Sequence, residues 1–249
     1  MSTFEDRTAV VTGAARGIGA AYATALAERG ARVVIADVDE QGEQLAEKLA
    51  ADGHEAMFVA TDVSSGDSAA AMAAAVAERF GGIDLLVNNA AIYGGMEIDL
   101  LLTVDWDYYR RFMSVNLDGA LVVTRAVYPH MQARGGGAIV NQSSTAAWLY
   151  SGFYGLAKAG INALTQQLAH ELGGMNIRVN AIAPGPTDTE ATRSVVPEEV
   201  TDQLVQQLAI KRMGRPADLV GACLFLLSDE AAWMTGQIVN VDGGQIFRS

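Results

Sequence analysis

Short apolar runs alternate with longer amphipathic stretches along most of the chain. Runs of five residues, such as 32–36 and 83–87, have the length and composition of buried strands. The stretches between them repeat apolar residues at helical spacing. Three such β-α repeats in the first 90 residues predict a parallel sheet with helices on both faces, wound by right-handed crossovers.

The same alternation continues to residue 241. The predicted strands cover residues 8–11, 32–36, 55–60, 83–87, 137–141, 177–182 and 236–241. The predicted helices cover residues 20–29, 40–52, 65–80, 105–134, 152–173 and 216–228, the fourth being broken near residues 114–116. Residues 186–212 are polar and rich in turn signals, which is typical of a mobile flap over a site. No linker or repeat interrupts the pattern, so we expect one α/β domain over residues 1–249.

A glycine-rich turn, Thr-Gly-Ala-Ala-Arg-Gly-Ile-Gly at residues 12–19, follows the first predicted strand. Glycine tolerates positive φ and lets a ligand approach backbone N–H groups. The N-terminus of the helix that follows attracts a pyrophosphate. The spacing is G-x-x-x-G-x-G, not the G-x-G-x-x-G of the common dinucleotide fingerprint. The turn therefore favours a nucleotide site, with a plain tight turn as the alternative.

An acidic residue, Asp37, follows the second predicted strand, 18 residues after Gly19. A carboxylate at this position suits the hydroxyl groups of an adenosine ribose and repels a 2′-phosphate. The sequence therefore favours NAD over NADP as cofactor. The alternative is an ordinary aspartate that begins a loop.

A tyrosine and a lysine, Tyr154 and Lys158, lie four residues apart within the predicted helix 152–173. This spacing places them on the same face of the helix. A neighbouring ammonium is expected to lower the pKa of a phenol, which lets the phenol exchange a proton near pH 7. A chance pair on a solvated helix is the alternative.

Composition and charge narrow the class of protein. Half of the 249 residues are hydrophobic and 18% are charged, as in a globular protein with a sizeable core. The net charge of −12 disfavours nucleic acids and anionic membranes as partners. The single cysteine, Cys223, excludes an internal disulfide and suits a reducing compartment, so we expect a cytoplasmic protein. No signal peptide, membrane span or metal-ligand spacing is recognisable.

Together these motifs resemble the short-chain dehydrogenase/reductase family over essentially the whole chain. The matching stretches are the glycine turn at 12–19, Asp62-Val63, Asn88-Asn89-Ala90-Ala91, the set Asn116, Ser144, Tyr154 and Lys158, and the segment from Pro184 to Thr189. The resemblance implies a single Rossmann-like domain, a doubly wound, seven-stranded parallel sheet with helices on both faces. It also implies a homotetramer built on helices 105–134 and 152–173 and on residues 237–249.

The resemblance assigns residues to catalysis and to cofactor binding. Asn116, Ser144, Tyr154 and Lys158 are the expected catalytic residues, with Ser143 as the alternative to Ser144. The expected cofactor-binding residues are Gly13, Arg16, Gly17, Ile18, Gly19, Asp37, Asp62, Val63, Asn88, Ala90, Tyr154, Lys158, Pro184, Gly185, Thr187 and Thr189. They imply reversible hydride transfer between NAD(H) and a secondary alcohol or ketone.

The mechanism that the resemblance implies uses Tyr154 as the general acid or base. Ser144 would steady the charge that develops on the substrate oxygen. Lys158 would lower the pKa of Tyr154 and hold the nicotinamide ribose, and Asn116 would anchor a water in a proton relay. No metal ion is expected.

The substrate is specified only as a class. The expected substrate-binding residues are Tyr93, Ser144, Trp148, Tyr150 and Tyr154, an aromatic set that suits a hydrophobic alcohol or ketone. The first alternative is a 3-oxoacyl thioester of an acyl carrier protein or coenzyme A. Carrier proteins are acidic and need a basic docking surface, whereas residues 128–137 offer only Arg134 and His130. The second alternative is a non-catalytic NAD-binding scaffold.

Two features depart from the family pattern. Tyr154 lies only ten positions after Ser144, about three fewer than usual, so the loop 145–153 is expected to shape a different substrate pocket. Thr187 stands where the family usually has an aliphatic residue.

Overall fold

A seven-stranded sheet with helices on both faces organises the computed structural model, which describes residues 3–97 and 99–247. Its strands are β1 (Thr8–Thr12), β2 (Arg32–Asp37), β3 (Ala56–Ala60), β4 (Leu85–Asn88), β5 (Gly137–Gln142), β6 (Ile177–Pro184) and β7 (Ile238–Val241). They lie in the order β3-β2-β1-β4-β5-β6-β7, and each neighbouring pair is parallel. The predicted Rossmann-like, doubly wound fold is therefore confirmed.

The structure has helices in every predicted amphipathic stretch and two more in the predicted flap, residues 186–212. They are α1 (Gly17–Ala27), α2 (Gln41–Ala51), α3 (Gly66–Phe80), α4 (Trp106–Met113), α5 (Gly119–Ala133), α6 (Gly152–Leu172), α7 (Glu190–Val195), α8 (Glu198–Gln207) and α9 (Pro216–Leu227). The largest shift is at α1, which begins inside the glycine turn, three residues earlier than predicted. A helix can begin there because its first four N–H groups need no partner within the helix.

Two apolar clusters fix the helices to the sheet. On one face, α1, α2 and α9 bury side chains that include Tyr22, Leu49 and Cys223, which is fully buried. On the other face, α3, α5 and α6 bury side chains that include Met72 and Leu168. Because both faces are covered, the central strands are nearly continuous apolar runs, as parallel sheets require.

The predicted break in the helix 105–134 is a π-helical turn, Ser114–Asp118, between α4 and α5. Asn116 lies within it and is buried. Its side-chain Oδ1 accepts a hydrogen bond from the Ile92 N–H (2.7 Å), and its Nδ2 donates to the Ile92 carbonyl (3.1 Å). The widened turn thus brings the asparagine amide to the loop after β4, and π-bulges of this kind are frequent at functional sites.

The predicted flap contains α7 and α8 and packs against the loop after β4. Its Ser194 Oγ accepts a hydrogen bond from the Gly95 N–H (3.2 Å), and Thr187 pairs with Gly214 at the base of the flap. The mobility of residues 186–212 stays a prediction. Two residues of the expected C-terminal interface segment, Arg248 and Ser249, lie outside the described residues. Met1, Ser2 and Ile98, elsewhere in the chain, also lie outside them.

A leucine in the centre of the sheet provides a test of this packing. Leu86 on β4 is fully buried, whereas Leu102 is 97% exposed. We expect Leu86→Ala to lower the free energy of unfolding by about 3 kcal/mol, because it removes buried methyl groups and leaves a cavity. Leu102→Ala, the matched control, should change it by less than about 0.5 kcal/mol. Urea unfolding followed by circular dichroism measures both, and equal effects would contradict the assigned core.

Candidate active site

A cleft of about 1310 Å³ opens at the carboxyl ends of the strands, above the point between β1 and β4 where the winding reverses. Open α/β sheets bind their ligands at this topological switch point. Most of the predicted site residues line the cleft: Gly13, Arg16, Gly17, Ile18, Asp37, Asp62, Val63, Ala90, Ser144, Tyr154, Lys158, Pro184, Gly185, Thr187 and Thr189.

Close backbone contacts explain the glycines of the turn. Gly13 has φ +63°, and a Cβ placed there would lie 2.6 Å from the Ala90 Cα atom. A Cβ on Gly19 would collide with the Gly13 carbonyl oxygen. Gly17 also has positive φ (+62°) and begins α1, whose N-cap Arg16 makes no side-chain capping bond. The turn therefore leaves helix N–H groups facing the cleft, where an anionic group can accept from them.

Thr12 and Asn89 hold this turn against the end of β4. Asn89 Nδ2 donates to the carbonyl oxygens of Thr12 (3.0 Å) and Gly13 (2.9 Å). Thr12 Oγ1 accepts from the backbone N–H groups of Asn89 (3.0 Å) and Ala90 (3.1 Å). Both residues were absent from the predicted site. The sequence signal that could have identified them is that both are polar residues at the ends of adjacent strands.

Asp37 lies at the rim of the cleft, at the end of β2. Its Oδ2 accepts from the Ala15 N–H of the glycine turn (2.9 Å), and its Oδ1 accepts from the Asp39 N–H (3.0 Å). Asp39 forms an ion pair with Arg16 at 3.5 Å. The carboxylate of Asp37 is therefore held in one orientation at this rim.

Asp62 and Val63 line the same end of the cleft as Asp37. Asp62 Oδ1 accepts from the backbone N–H of Ser64 (2.9 Å) and from its hydroxyl (2.6 Å), which orders the loop after β3. Val63 packs against Gly119, where a Cβ would lie 2.8 Å from a Val63 methyl group. An apolar side chain beside a fixed carboxylate is suited to a flat heterocycle that carries polar edges.

Asn88 was predicted to bind the cofactor, but its side chain points into the protein beneath the cleft. Nδ2 donates to Asn141 Oδ1 (2.9 Å) and Thr124 Oγ1 (3.1 Å) on the side of α5. Side chains alternate between the faces of a strand, so Asn88 and Asn89 cannot both face the glycine turn. The Asn88 Oδ1 atom borders a small internal cavity with Asn116 and Lys158 and has no hydrogen-bond partner among the described residues.

The two serines after β5 are distinguished by their partners. Ser143 Oγ donates to Asn162 Oδ1 (2.6 Å) and points into α6. Ser144 Oγ accepts from the Ala146 N–H (3.1 Å), and its side chain acts on the Tyr154 phenol, whose pKa it lowers. The geometry therefore favours Ser144 over Ser143 as the residue that faces a reacting group.

Tyr154 and Lys158 lie on the same face of α6, as predicted, but the expected effect of the lysine on the phenol is wrong for this structure. Desolvation by burial raises the pKa of Tyr154. Ser144 lowers this pKa and the neighbouring Tyr93 raises it, so that the pKa is raised overall. Lys158 Nζ lies 5.9 Å from the centre of the Tyr154 ring and donates to the Gln142 carbonyl (2.8 Å). Burial lowers the pKa of Lys158 to about 8.

The segment after β6 is rigid and packed closely. A Cβ on Gly185 would lie 2.7 Å from the Asp242 Cα atom, which requires glycine there. Thr187 Oγ1 donates to the Gly185 carbonyl (3.0 Å), and this hydroxyl contact explains the threonine in place of an aliphatic residue. Thr189 caps α7 by accepting from the Thr192 N–H (3.1 Å).

The predicted aromatic residues contribute unequally to the cleft. Tyr93 and Tyr150 line it, and the Tyr93 ring lies 5.3 Å from that of Tyr154. Trp148 ends a short 3₁₀ helix and is not among the lining residues, which include its neighbour Leu149 instead. The shortened loop 145–153 thus contributes Leu149 and Tyr150 to the lining of the cleft, but not its tryptophan.

The cleft fits a nicotinamide dinucleotide. It offers helix N–H groups at a glycine turn, an ordered carboxylate at the far rim and a tyrosine, serine and lysine at the other end. Among residues 3–97 and 99–247, no group of His, Cys, Asp or Glu side chains is arranged to hold a metal ion. No helix within this part of the chain is long and apolar enough for a membrane span.

The fold and the cleft together define a nucleotide-binding oxidoreductase of the Rossmann type. Residues 13–245 match a family model described as enoyl-(acyl carrier protein) reductase. The chain belongs to the short-chain dehydrogenase/reductase family.

Relatives and solved structures align over nearly the whole chain. An uncharacterized oxidoreductase of Mycobacterium tuberculosis is 67% identical, over 99% of this chain and 100% of that protein. Cis-4-hydroxycyclohexanecarboxylate dehydrogenase of Sinomonas cyclohexanicum is 42% identical, over 97% of each. The structure of a gluconate 5-dehydrogenase from Burkholderia cenocepacia, in complex with NADP and tartrate, has a TM-score of 0.92 and 34% identity, over 98% of this chain and 96% of that one.

Burial of the Lys158 ammonium predicts a pH-dependent stability difference. The folded pKa of about 8 lies below the usual 10.5, so below pH 8 the folded state bears the cost of a buried charge. Between the two values the folded state releases its proton first, and stability rises with pH. We expect Lys158→Met to be more stable than the wild type below pH 8, by about 2–3 kcal/mol, and to lose this advantage towards pH 10.5.

Urea unfolding at a series of pH values measures this difference. Lys48 is exposed on α2, and Lys48→Met is the matched control that should show no such trend. A stability difference between Lys158→Met and the wild type that stays constant from pH 7 to pH 10.5 would contradict the lowered pKa of Lys158.

Proposed function

We propose that this oxidoreductase transfers a hydride reversibly between NAD(H) and a secondary alcohol or ketone, with Tyr154 as general acid or base. The observation that carries the proposal is that Ser144, Tyr154 and Lys158 line one cleft that begins at a glycine turn. Lys158 lies one helical turn after Tyr154 and shares the cleft. The nicotinamide, when bound, supplies or accepts the hydride.

In the reduction direction, Tyr154 donates its phenolic proton to the carbonyl oxygen of the substrate. Its raised pKa keeps the proton in place until charge develops on that oxygen. Ser144 donates a second hydrogen bond to the same oxygen, and a preorganised donor of this kind stabilises developing negative charge. In the oxidation direction the same two residues act in reverse.

Lys158 and Asn116 reload the proton on Tyr154 through water. The cavity between Asn88, Asn116 and Lys158 has a volume of about 10 Å³, close to what one water needs. Asn88 Oδ1 borders this cavity and has no partner within the described part of the chain, so it can accept from such a water. Lys158, with its pKa lowered to about 8, can pass a proton near neutral pH.

The rim around Asp37 supports NAD over NADP. Asp37 presents a fixed carboxylate, and Asp39 pairs with Arg16, the cation of the turn that could otherwise meet a 2′-phosphate. A second negative charge at this rim adds to the repulsion of a phosphate. The gluconate 5-dehydrogenase with NADP shows that related proteins can take the phosphorylated cofactor, so the preference rests on these residues.

An apolar substrate is supported by the wall of the cleft. The flap and the neighbouring loops contribute the apolar side chains Met96, Leu149, Val195, Val196, Val200, Leu204 and Met213. Such a wall suits a cyclic or otherwise hydrophobic secondary alcohol. The Sinomonas relative, named for a ring alcohol with a carboxylate, is consistent with this class.

A 3-oxoacyl thioester reductase is the second candidate, and the description of the matching family model shares with it only the acyl carrier protein as the carrier of the substrate. The two are separated by rates on a ketone panel that includes a cyclohexanone, a steroid ketone and an acetoacetyl thioester, each with NADH. Higher kcat/KM on the thioester would overturn the hydrophobic-alcohol proposal. Binding of NADH without turnover of any compound would favour a non-catalytic scaffold.

We also propose that the protein is a cytoplasmic homotetramer. Aromatic residues exposed near the C-terminus, Trp233 (100%) and Phe247 (85%), support an interface there. The single buried Cys223 suits a reducing compartment. Sedimentation equilibrium of the full chain measures the number of subunits.

Replacing Tyr154 by Phe tests the proton transfer. The variant keeps the ring and its packing but removes the proton that is donated. We expect kcat to fall by at least about 100-fold, with the Kd for NADH within about twofold of the wild type. Steady-state rates and nicotinamide fluorescence measure the two quantities. A kcat near that of the wild type would eliminate Tyr154 as the acid.

Replacing Asp37 by Asn tests the cofactor preference. Asparagine keeps an oxygen that can accept from the Ala15 N–H but removes the charge. We expect the wild type to bind NADH more tightly than NADPH, and the variant to narrow the ratio of the two Kd values by about tenfold. Asp52→Asn, on an exposed residue after α2, is the control. Tighter binding of NADPH by the wild type would overturn the proposal for NAD.

A further inference from the structure

A buried glutamine, Gln142, occupies the last position of β5 and lines the floor of the cleft. Its side chain is only 7% exposed. Asn141, one residue earlier, points to α6 and donates to Thr165 Oγ1 (2.9 Å). Alternation along the strand therefore directs Gln142 to the opposite face, towards α1. A polar side chain in this apolar layer needs hydrogen-bond partners.

One partner is Tyr22, a buried tyrosine in the middle of α1. Its hydroxyl donates to Gln142 Oε1 at 3.1 Å. Burial raises the pKa of Tyr22, so the phenol keeps its proton and must donate it. The side-chain oxygen of Gln142 is therefore held towards α1, and the amide nitrogen takes the remaining position.

Among residues 3–97 and 99–247, the side-chain hydrogen bond of Gln142 uses its oxygen and leaves its nitrogen as a donor without a protein acceptor, and the residue lines the cleft. The backbone of the same residue anchors the catalytic end of the cleft, because its carbonyl accepts from Lys158 Nζ (2.8 Å). Ser144 follows two residues later. An oriented amide donor thus belongs to the residue whose carbonyl holds Lys158, two residues before Ser144.

The location of Gln142 distinguishes the two ends of a bound dinucleotide. Asp37, at the adenosine end of the cleft, ends β2, and β1 and β4 lie between β2 and β5. Gln142 instead pairs with Ile182 on β6, two residues before Pro184, which also lines the cleft. Of the parts of a nicotinamide dinucleotide, the reactive ring belongs at this end, beside Tyr154. Its carboxamide is the hydrogen-bonding group of that ring.

We propose that Gln142 binds the nicotinamide end of the cofactor, its side-chain amide donating to the carboxamide oxygen, and that Tyr22 is the positioning residue that fixes this amide. The proposal rests on the proposed function, since it needs a nicotinamide in the cleft. The contact comes from the floor of the cleft, and it adds to the cofactor contacts expected from the segment 184–189.

The test compares two nucleotides that share everything except the nicotinamide. NADH contains the ring, whereas ADP-ribose ends at the second ribose. Gln142→Met keeps the approximate volume of the side chain and removes the donor. We expect it to raise the Kd for NADH by roughly three- to tenfold, as the loss of one hydrogen bond does, and to leave the Kd for ADP-ribose within about twofold. Calorimetric titration measures both.

Two further variants separate binding from stability. Gln142→Met leaves the buried hydroxyl of Tyr22 without an acceptor, so its Tm should fall. The double variant Tyr22→Phe/Gln142→Met removes both polar groups, and it should recover much of the Tm while still binding NADH weakly. Tyr22→Phe alone should weaken NADH less than Gln142→Met, since the amide loses its orientation but not its donor. Gln132→Met, on an exposed glutamine of α5, is the matched control.

The outcomes are distinct. A selective loss of NADH affinity in both Gln142→Met variants supports the contact. Unchanged NADH affinity, or an equal loss for NADH and ADP-ribose, overturns it and leaves the proposed function intact. If the wild type binds neither NADH nor ADP-ribose, the proposed function itself fails, and the contact fails with it.

Discussion

The close approach of the glycine turn to the end of β4 is the constraint on which the site depends. Gly13 lies so near Ala90 that no side chain fits between them, and Asn89 ties both backbone segments together. This contact fixes the N-terminus of α1 over the switch point of the sheet. Without it, neither the helix N–H groups nor the rim carboxylate of Asp37 would be held towards the same cleft.

A second, polar layer beneath the cleft connects its two ends. The Gln142 carbonyl holds Lys158, while the Gln142 side chain meets Tyr22 on α1. Asn88 and Asn116 border a water-sized cavity on the other side of the lysine. Buried polar groups of this kind are costly unless they are paired, so each one constrains its neighbours. These bonds constrain the part of the cleft around Lys158, whereas residues of α7 and α8 in the flap line another part of it.

Much of the fold could be predicted from the sequence because the spacing of apolar residues and the positions of turn residues indicate the same elements. The alternation of strand and helix patterns, with right-handed crossovers, specified the parallel sheet, and the element bounds differ by a few residues at most. The break predicted near Asn116 corresponds to the π-helical turn in the structure. The failures are local: Asn88 and Trp148 are in the right segments but do not line the cleft, because the surroundings of a side chain depend on strand alternation and on tertiary packing.

The sequence by itself determined the order of the elements, the glycine turn, the acidic residue after β2 and the Tyr154–Lys158 spacing, because these depend on neighbours along the chain. Only the tertiary structure decided how those groups affect one another. Burial, which no local pattern reports, raises the pKa of Tyr154 and lowers that of Lys158. The same folding of distant segments brought Tyr22 to Gln142, 120 residues apart, and so placed an amide at the floor of the cleft.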